Sequence, residues 1–202
     1  MFDIPVRRRL DPILDRIGRG LAGRGVRADA LTLAGFGVGL AAVPALALGA
    51  FWTALGCILV NRIADGLDGA VARAAGPTDR GGFLDIACDF LFYAAVPLGF
   101  ALADPAVNAL PAAFLIFAFV GTGSSFLAFA AIAARRGGVP PSGHRGKAIH
   151  YLGGLTEGTE TILVFVIICL WPAAFPWAAW IFGGLCLITT ATRIAEGMRV
   201  FR

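Results

Sequence analysis

Hydrophobic residues fill three long stretches of the chain, and short segments between them carry all the basic residues. Lys and Arg are absent from residues 28–61, 81–134 and 148–192. A helix needs about 20 apolar residues to cross a bilayer, and turn signals such as Asp104-Pro105 divide each stretch in two. The pattern therefore predicts three helical hairpins with six spans, at 29–48, 51–74, 81–103, 107–134, 147–171 and 175–199.

Composition supports this interpretation. The chain has 202 residues, of which 58% are hydrophobic and 15% charged, and its mean hydropathy is +0.79. So little charge excludes an ordinary soluble domain. The alternating strands of a membrane β-barrel are missing too, since runs such as 110–120 are apolar on every face. We expect an all-α polytopic membrane protein, with a surface helix in 1–28 and a six-helix catalytic domain in 29–202.

The basic residues indicate how the chain is oriented. All 17 fall into four groups, at 7–27, 62–80, 135–147 and 193–202. Basic loops stay on the cytoplasmic side, so we expect both termini and every basic loop there, in a multi-pass protein of the inner (plasma) membrane. Topology thus explains the net charge of +4 without a nucleic-acid partner. No cleavable signal is expected at the N-terminus.

The segment before the first span has a helical pattern of its own. Asp11-Pro12 is typical of a helix start, and basic residues lie between apolar residues at helical spacing. These apolar residues are Leu10, Ile13, Leu14, Ile17 and Leu21. The pattern predicts an amphipathic helix on the cytoplasmic leaflet, and a poorly ordered basic tail is the alternative.

Four aspartates lie in the second and third predicted spans, where a central charge costs about 2.5–3.5 kcal/mol. Asp65 and Asp68 share one helix face, as do Asp85 and Asp89, and the turn at 76–79 folds one pair toward the other. Without a cation, four converging carboxylates would repel one another. The pattern favours a hard-oxygen site for Mg²⁺ or Mn²⁺, suited to phosphate chemistry.

Two further features bear on this hypothesis. Small residues (Gly66, Gly69 and Ala72) clear one side of the second span, so that a bulky ligand could approach its backbone. The alternative is purely structural: the acids could form ion pairs between helices, such as Arg62 with Asp65 or Arg73 with Asp85. Ion pairing explains two or three acids, but not four beside a row of small residues.

These residues form a recognisable motif. Asp65-x-x-Asp68-Gly69-x-x-Ala72-Arg73, followed by Gly81-x-x-x-Asp85-x-x-x-Asp89, resembles the signature of the CDP-alcohol phosphotransferase (phosphatidyltransferase) family. Members of that family make phospholipids such as phosphatidylglycerophosphate and phosphatidylserine. The loop departs from the family pattern, since seven residues rather than the usual eight separate arginine and glycine. Asp29-x-x-Thr32 also has Asp where the family tends to have Asn.

The resemblance implies a role for each matching residue. Asp65, Asp68 and Asp85 would hold two Mg²⁺ or Mn²⁺ ions, with Asp89 close by as the general base. The residues implied at the CDP moiety are Asp65, Gly69, Ala72 and Arg73, with Arg73 on the pyrophosphate. The implied donor is a CDP-diacylglycerol-type lipid, the acceptor is a small alcohol, and CMP leaves. The resemblance also implies a homodimer.

The acceptor site is less well defined by the sequence. Candidates near the same membrane face are Arg135, Arg136, Lys147 and Glu157, although topology alone would also place the basic ones there. Glu157 and Glu160 could bind an acceptor or pair with Arg62 or Arg193, and we favour pairing. Gly35-x-x-x-Gly39 and Gly154-x-x-x-Gly158 are typical of close helix packing.

Two other functions fit part of the pattern. An intramembrane prenyltransferase also uses Mg²⁺ and Asp-rich helices, but its acidic motifs lie far apart, whereas here all four acids fall within 25 residues. A metal transporter would need no turnover, but no internal repeat relates the two halves of the chain. A phospholipid-synthesising transferase remains the leading prediction.

Overall fold

The computed structural model describes residues 3–137 and 156–202, and all the regular structure in those ranges is helical. A short 3₁₀ turn at Pro172–Ala174 precedes the last helix. The α-helices are α1 (Asp3–Gly23), α2 (Ala28–Leu40), α3 (Ala42–Ala47), α4 (Phe51–Ala75), α5 (Asp79–Ala103), α6 (Pro105–Arg135), α7 (Gly158–Leu170) and α8 (Phe175–Val200).

Within residues 3–137 and 156–202, four segments are long and apolar enough to cross a membrane. They are Ala28–Ala47 (α2 with α3), Asp79–Ala103, Pro105–Arg135 and Pro172–Val200. These segments confirm the polytopic all-α prediction for four of the six predicted spans. α4 is 25 residues long but carries two arginines and two aspartates from residue 62 onward, and α7 has only 13 residues.

Two helices differ from the predictions. The fifth span, predicted as one helix over 147–171, is not helical at residues 156–157, and α7 follows from Gly158, where Glu157 and Glu160 form a capping box that satisfies the first backbone N–H groups of the helix. The predicted start at 147 lies outside the described residues. The N-terminal helix starts at Asp3 and continues through Pro12. The prediction that Asp11-Pro12 starts this helix was therefore wrong. The helix continues although Pro12 has no backbone N–H to donate.

The first predicted span is interrupted at Ala41, between α2 and α3. Pro44 explains the break, because its ring nitrogen cannot donate to the carbonyl of Leu40 and would clash with it in a continuous helix. The two segments still cover the predicted range.

Helices distant in sequence pack together in the bundle as well as consecutive ones. α2 and α1 both pack on α4, α5 packs on α6, and α6 packs on α8. At the centre, Phe92, Phe100, Phe165 and Phe175 are fully buried, and the rings of Phe100 and Phe175 stack with centroids 4.4 Å apart. Aromatic rings of this size contribute most of the apolar area that holds such a core together.

Gly35 and Gly39 let α2 approach α4 closely, as their spacing predicts. A Cβ atom at Gly35 would come within 2.5 Å of the Ala64 Cβ, and one at Gly39 within 2.8 Å of Asn61 and Phe92. Any side chain there would push α2 away from α4, on which the acidic residues lie.

The two ends of the bundle differ in chemistry. The α3–α4, α5–α6 and α7–α8 turns converge around one cavity, and exposed Trp52, Trp171 and Trp177 lie at these turns. Tryptophan is typical of a membrane–water boundary. All four motif aspartates lie toward the other ends of α4 and α5, so the acidic site opens at the opposite face of the bundle.

Candidate active site

Three of the predicted acids converge in the structure. Asp65 and Asp68 on α4 and Asp85 on α5 each offer a carboxylate oxygen, and these oxygens lie within 4.8 Å of one another. Asp68 is the most buried of the three, with 5% exposure, and the Thr32 hydroxyl of α2 donates to its Oδ2 at 2.5 Å. Asp89 joins them in lining a small cavity of about 10 Å³. The predicted meeting of the two acidic pairs is therefore present.

Asp89 lies beside these three acids and forms an ion pair with Arg62. The Arg62 Nη2 donates to the Asp89 Oδ1 at 2.8 Å, and its Nη1 lies 3.5 Å from the Asp65 Oδ2. The Arg62 side chain is only 16% exposed. One guanidinium thus bridges acids of α4 and α5, and part of the ion-pair alternative is realised here.

Neighbouring groups fix the Arg62 guanidinium in place. Asn61 Oδ1 accepts from its Nε and Nη2 at 2.8 and 2.6 Å, and Asn61 in turn donates to the backbone carbonyl of Gly35. Arg62 also lies 4.6 Å from the Phe92 ring centroid and donates to the Tyr93 hydroxyl at 3.3 Å. Asn61 is buried, so this network ties α2, α4 and α5 together around the acids.

A much larger cavity, of about 620 Å³, opens beside the acids. Asp68 and Asp85 form part of its wall. The rest of the wall comes from the end of α1, the start of α2, the end of α4 and the start of α5, and includes Arg27, Asp29, Thr32, Gly69, Ala72, Arg80, Gly81 and Gly82. A ligand of nucleotide size could fit here, in contact with two of the carboxylates.

The shortened loop of the motif is well defined. Gly76, at φ +100°, ends α4 in a backbone conformation that suits glycine. The Thr78 hydroxyl then caps α5 by accepting from the Gly81 backbone N–H at 3.0 Å. Both candidate glycines of the motif, Gly81 and Gly82, line the large cavity, so the missing residue removes neither from it.

The small residues of α4 do not all face the large cavity. Gly69 and Ala72 line the large cavity, as expected for a ligand-facing surface. Gly66 does not: a Cβ there would lie 3.0 Å from Leu14 of α1. The expectation that Gly66 clears space for a ligand was wrong, because α1 packs there.

Arg73 has a partner that the sequence did not reveal. Its Nε and Nη2 donate to the Asp15 Oδ1 of α1 at 3.1 and 2.7 Å, whereas the sequence alternative paired it with Asp85. Its Nη1 lies beside Gly69, where a Cβ would come within 3.3 Å. The guanidinium therefore lies beside Gly69, and Gly69 is part of the wall of the large cavity.

A third cavity, of about 140 Å³, lies on the other side of Tyr93. Its polar lining comes from Tyr93, Thr122, Thr156, Glu157, Thr161 and Arg193. Arg193 is oriented by donating to the Thr122 backbone carbonyl at 2.9 Å. Since Tyr93 also contacts Arg62, one side chain links this cavity to the arginine that holds Asp89.

The other acceptor candidates lie elsewhere. Arg136 donates to the backbone carbonyl of Phe201 at 2.9 Å and stacks on its ring. Arg135 is exposed at the end of α6, and Lys147 lies outside the described residues. Of the four candidates, Glu157 is the one that the described part of the chain places in the third cavity.

Sequence reasoning did not identify several residues of the site. Thr32 could have been found, since Asp29-x-x-Thr32 resembles a family element. Asn61, Tyr93 and Asp15 could not, because their roles depend on contacts between residues far apart in sequence.

The cluster fits a divalent cation. Carboxylate oxygens are the ligands that Mg²⁺ and Mn²⁺ prefer, and the three acids present such oxygens within reach of one another. The fold and the site together define a class: a polytopic helical membrane enzyme whose acidic cluster faces a cavity of nucleotide size.

Comparison with known proteins makes the assignment specific. The chain belongs to the CDP-alcohol phosphatidyltransferase family, which matches it over residues 25–191. It is 56% identical over 197 residues to the inner membrane protein YnjF of Escherichia coli strain K12, covering 98% of this chain and 95% of that one. Archaetidylinositol phosphate synthase of Methanothermobacter thermautotrophicus is 42% identical over 87 residues, covering 43% of this chain and 41% of that one.

Solved structures agree with this assignment. Mycobacterium tuberculosis phosphatidylinositol phosphate synthase (PgsA1) with CDP-DAG bound has a TM-score of 0.64 at 26% identity, covering 92% of this chain and 94% of that one. The same enzyme in complex with manganese and citrate has a TM-score of 0.66 at 26% identity, covering 92% of this chain and 88% of that one.

This chain is therefore a multi-pass membrane transferase that moves a phosphatidyl-type group from a CDP-linked donor to an alcohol. The assignment decides against both the prenyltransferase and the transporter.

Proposed function

We propose that this enzyme transfers the phosphatidyl group of CDP-diacylglycerol to a small alcohol at the acidic cluster. The carrying observation is that three carboxylates from two helices converge within 4.8 Å, and two of them face the 620 Å³ cavity. CDP-DAG is bound in the mycobacterial relative, which supports the choice of donor.

Asp65, Asp68 and Asp85 would hold two Mg²⁺ or Mn²⁺ ions, with Asp89 at the edge of the cluster. When bound, these ions supply positive charge that offsets the negative charge of the donor pyrophosphate. The manganese complex of the mycobacterial relative supports this cofactor. Thr32 then orients Asp68 through its hydroxyl, and Arg62 balances the charge of the acids that face it.

The CDP moiety would occupy the large cavity. Gly69 and Ala72 line it on the α4 side without large side chains, so that the donor can lie close to the α4 backbone. The Nη1 of Arg73 lies beside Gly69 of the cavity wall, and from there it would donate to a pyrophosphate oxygen. The lipid chains would extend from this opening into the bilayer.

Asp89 would act as the general base. The acceptor oxygen attacks the phosphorus of the phosphatidyl group and its proton passes to the Asp89 carboxylate. The bond from that phosphorus to the bridging pyrophosphate oxygen breaks, and CMP leaves with the electron pair. Arg62 fixes the orientation of Asp89 through Oδ1, and a positioned base of this kind contributes about 10²–10⁴-fold to the rate.

The acceptor would enter from the 140 Å³ cavity. Tyr93 connects its lining to Arg62, and therefore to Asp89. The cavity combines one carboxylate (Glu157), one guanidinium (Arg193) and several hydroxyl groups, which suits a small molecule with several polar groups.

Two further helices, α4 and α7, would complete the set of membrane spans. α4 at 25 residues is roughly 38 Å long at 1.5 Å per residue, enough to cross despite its charges. α7 is shorter, but it starts at Gly158, directly after Glu157 of the acceptor cavity, and so begins level with the site. With α4 and α7 the enzyme would have six spans, with both termini and the site facing the cytoplasm. It would form a homodimer, as the family resemblance implies.

One experiment tests this function. Purified protein is incubated with CDP-diacylglycerol, Mn²⁺ and, separately, glycerol 3-phosphate, serine, inositol phosphate and inositol, and products are scored by mass. We expect CMP and one phospholipid product, lost in Asp89→Asn. Asp104→Asn is the matched control, since Asp104 caps α6 at the other end of the bundle and Asn caps a helix equally well. Turnover by Asp89→Asn equal to that of the control would refute Asp89 as the base.

A further inference from the structure

The contact between Asp15 and Arg73 joins the N-terminal helix to the catalytic motif. The two residues are 58 positions apart, and Asp15 Oδ1 accepts from both the Nε and the Nη2 of Arg73. We infer that Asp15 is a positioning residue, which holds the Arg73 guanidinium so that its Nη1 faces the donor pyrophosphate. This inference rests on the proposed function, in which Arg73 binds the pyrophosphate.

Arg73 needs such a partner because of its location. It lies in the last turn of α4, and its side chain is 54% exposed. An exposed arginine loses much rotamer freedom when it binds a ligand. Asp15 takes one edge of the guanidinium fork, while Nη1 stays beside Gly69. The arginine is thus already oriented before the donor arrives, which lowers the entropic cost of binding.

Asp15 can do this because α1 packs closely on α4 at Leu14 and Gly18, on either side of Asp15. A Cβ at Gly18 of α1 would come within 2.6 Å of Ala70, which shows how closely the helix backbones approach. One turn earlier, Leu14 lies over Gly66. The carboxylate therefore projects from a rigid support, and the small residues Gly66 and Ala70 serve the positioning of Arg73.

The first test separates donor binding from turnover. An exposed ion pair changes an equilibrium by roughly 1.4- to 5-fold, so Asp15→Asn should raise the KM for CDP-diacylglycerol about threefold and leave kcat within about twofold. The affinity for CMP, measured by competition, should fall by the same factor. Asp11→Asn, one turn earlier on α1, should change neither quantity.

A double-mutant cycle excludes a merely structural role. In an Arg73→Ala background, Asp15→Asn should have no further effect on CMP affinity, whereas a loosened helix would weaken affinity equally in both backgrounds and overturn the inference. A lower KM in Asp15→Asn would also overturn it, since Asp15 would then compete with the pyrophosphate. If Arg73→Ala alone leaves the donor KM unchanged, the proposed role of Arg73 in donor binding fails instead.

Discussion

Arg62 is the residue whose removal should affect both stability and turnover. It is the counter-charge of Asp89 and Asp65, which lie 2.8 and 3.5 Å away. Arg62→Met keeps a side chain of similar length against the Phe92 ring but removes the charge and all five donors. Asp89 and Asn61 then lose the partner that orients them.

The magnitude follows from burial. Breaking a fully buried ion pair by removing one partner costs about 3–5 kcal/mol. Asp89 and Asp65 are 29% and 34% exposed, so water shields part of the uncompensated charge, and we expect about 2–3 kcal/mol. For a chain of this size that lowers the unfolding temperature by about 5–10 °C. Divalent cations should reduce the difference in unfolding temperature between wild type and Arg62→Met, because they replace the missing positive charge.

The assay is thermal unfolding in detergent, with EDTA and then with Mn²⁺, for wild type, Arg62→Met and Arg62→Lys. Arg62→Lys should be intermediate, since a lysine keeps the charge but cannot reproduce the fork to Asn61 and Asp89. Arg199→Met is the matched control, because Arg199 is 75% exposed and lies 3.9 Å from its acidic partner; it should behave as wild type. An Arg62→Met protein as stable as wild type in EDTA would refute the reasoning.

Three further changes give separate readouts. Thr32→Val removes the hydroxyl that donates to Asp68 and should raise the Mn²⁺ concentration for half-maximal activity about tenfold, as for hydrogen bonds to a charged group; an unchanged metal titration would contradict this. Glu157→Gln should raise the acceptor KM several-fold while the donor KM stays within twofold, and steady-state kinetics with each substrate varied would show the reverse if Glu157 lined the donor site. Gly18→Leu should lower the unfolding temperature by several degrees, since overpacking costs about 1–3 kcal/mol, whereas the same change at Gly20, where a Cβ meets nothing within 4 Å, should not.

Local spacing in the sequence predicted the centre of the site. The i,i+3 and i,i+4 intervals place two acids on one face of each helix, and the turn between α4 and α5 is too short for any arrangement but an antiparallel one. Asp65, Asp68 and Asp85 therefore had to meet once both helices formed. The windows without basic residues and the turn signals within them also predicted most of the described helix ends to within a few residues.

Contacts between distant segments could not be predicted in this way. Asp15 and Arg73 meet only because α1 lies across α4, and nothing in the spacing of either residue indicates that crossing. Arg62 was considered as a partner for Asp65, but its closer ion pair is with Asp89, on the next helix. The break at residues 156–157 before α7 was not predicted either; there Glu157 and Glu160 form a capping box.

The most direct test of the metal hypothesis is Mn²⁺ binding to the purified protein, followed by electron paramagnetic resonance and needing no turnover. We expect the wild-type protein and Asp104→Asn to bind one or two Mn²⁺ ions, and Asp68→Asn to bind them at least tenfold more weakly, because it loses a carboxylate ligand. Equal Mn²⁺ affinity in all three proteins would contradict a divalent-cation site at the four aspartates.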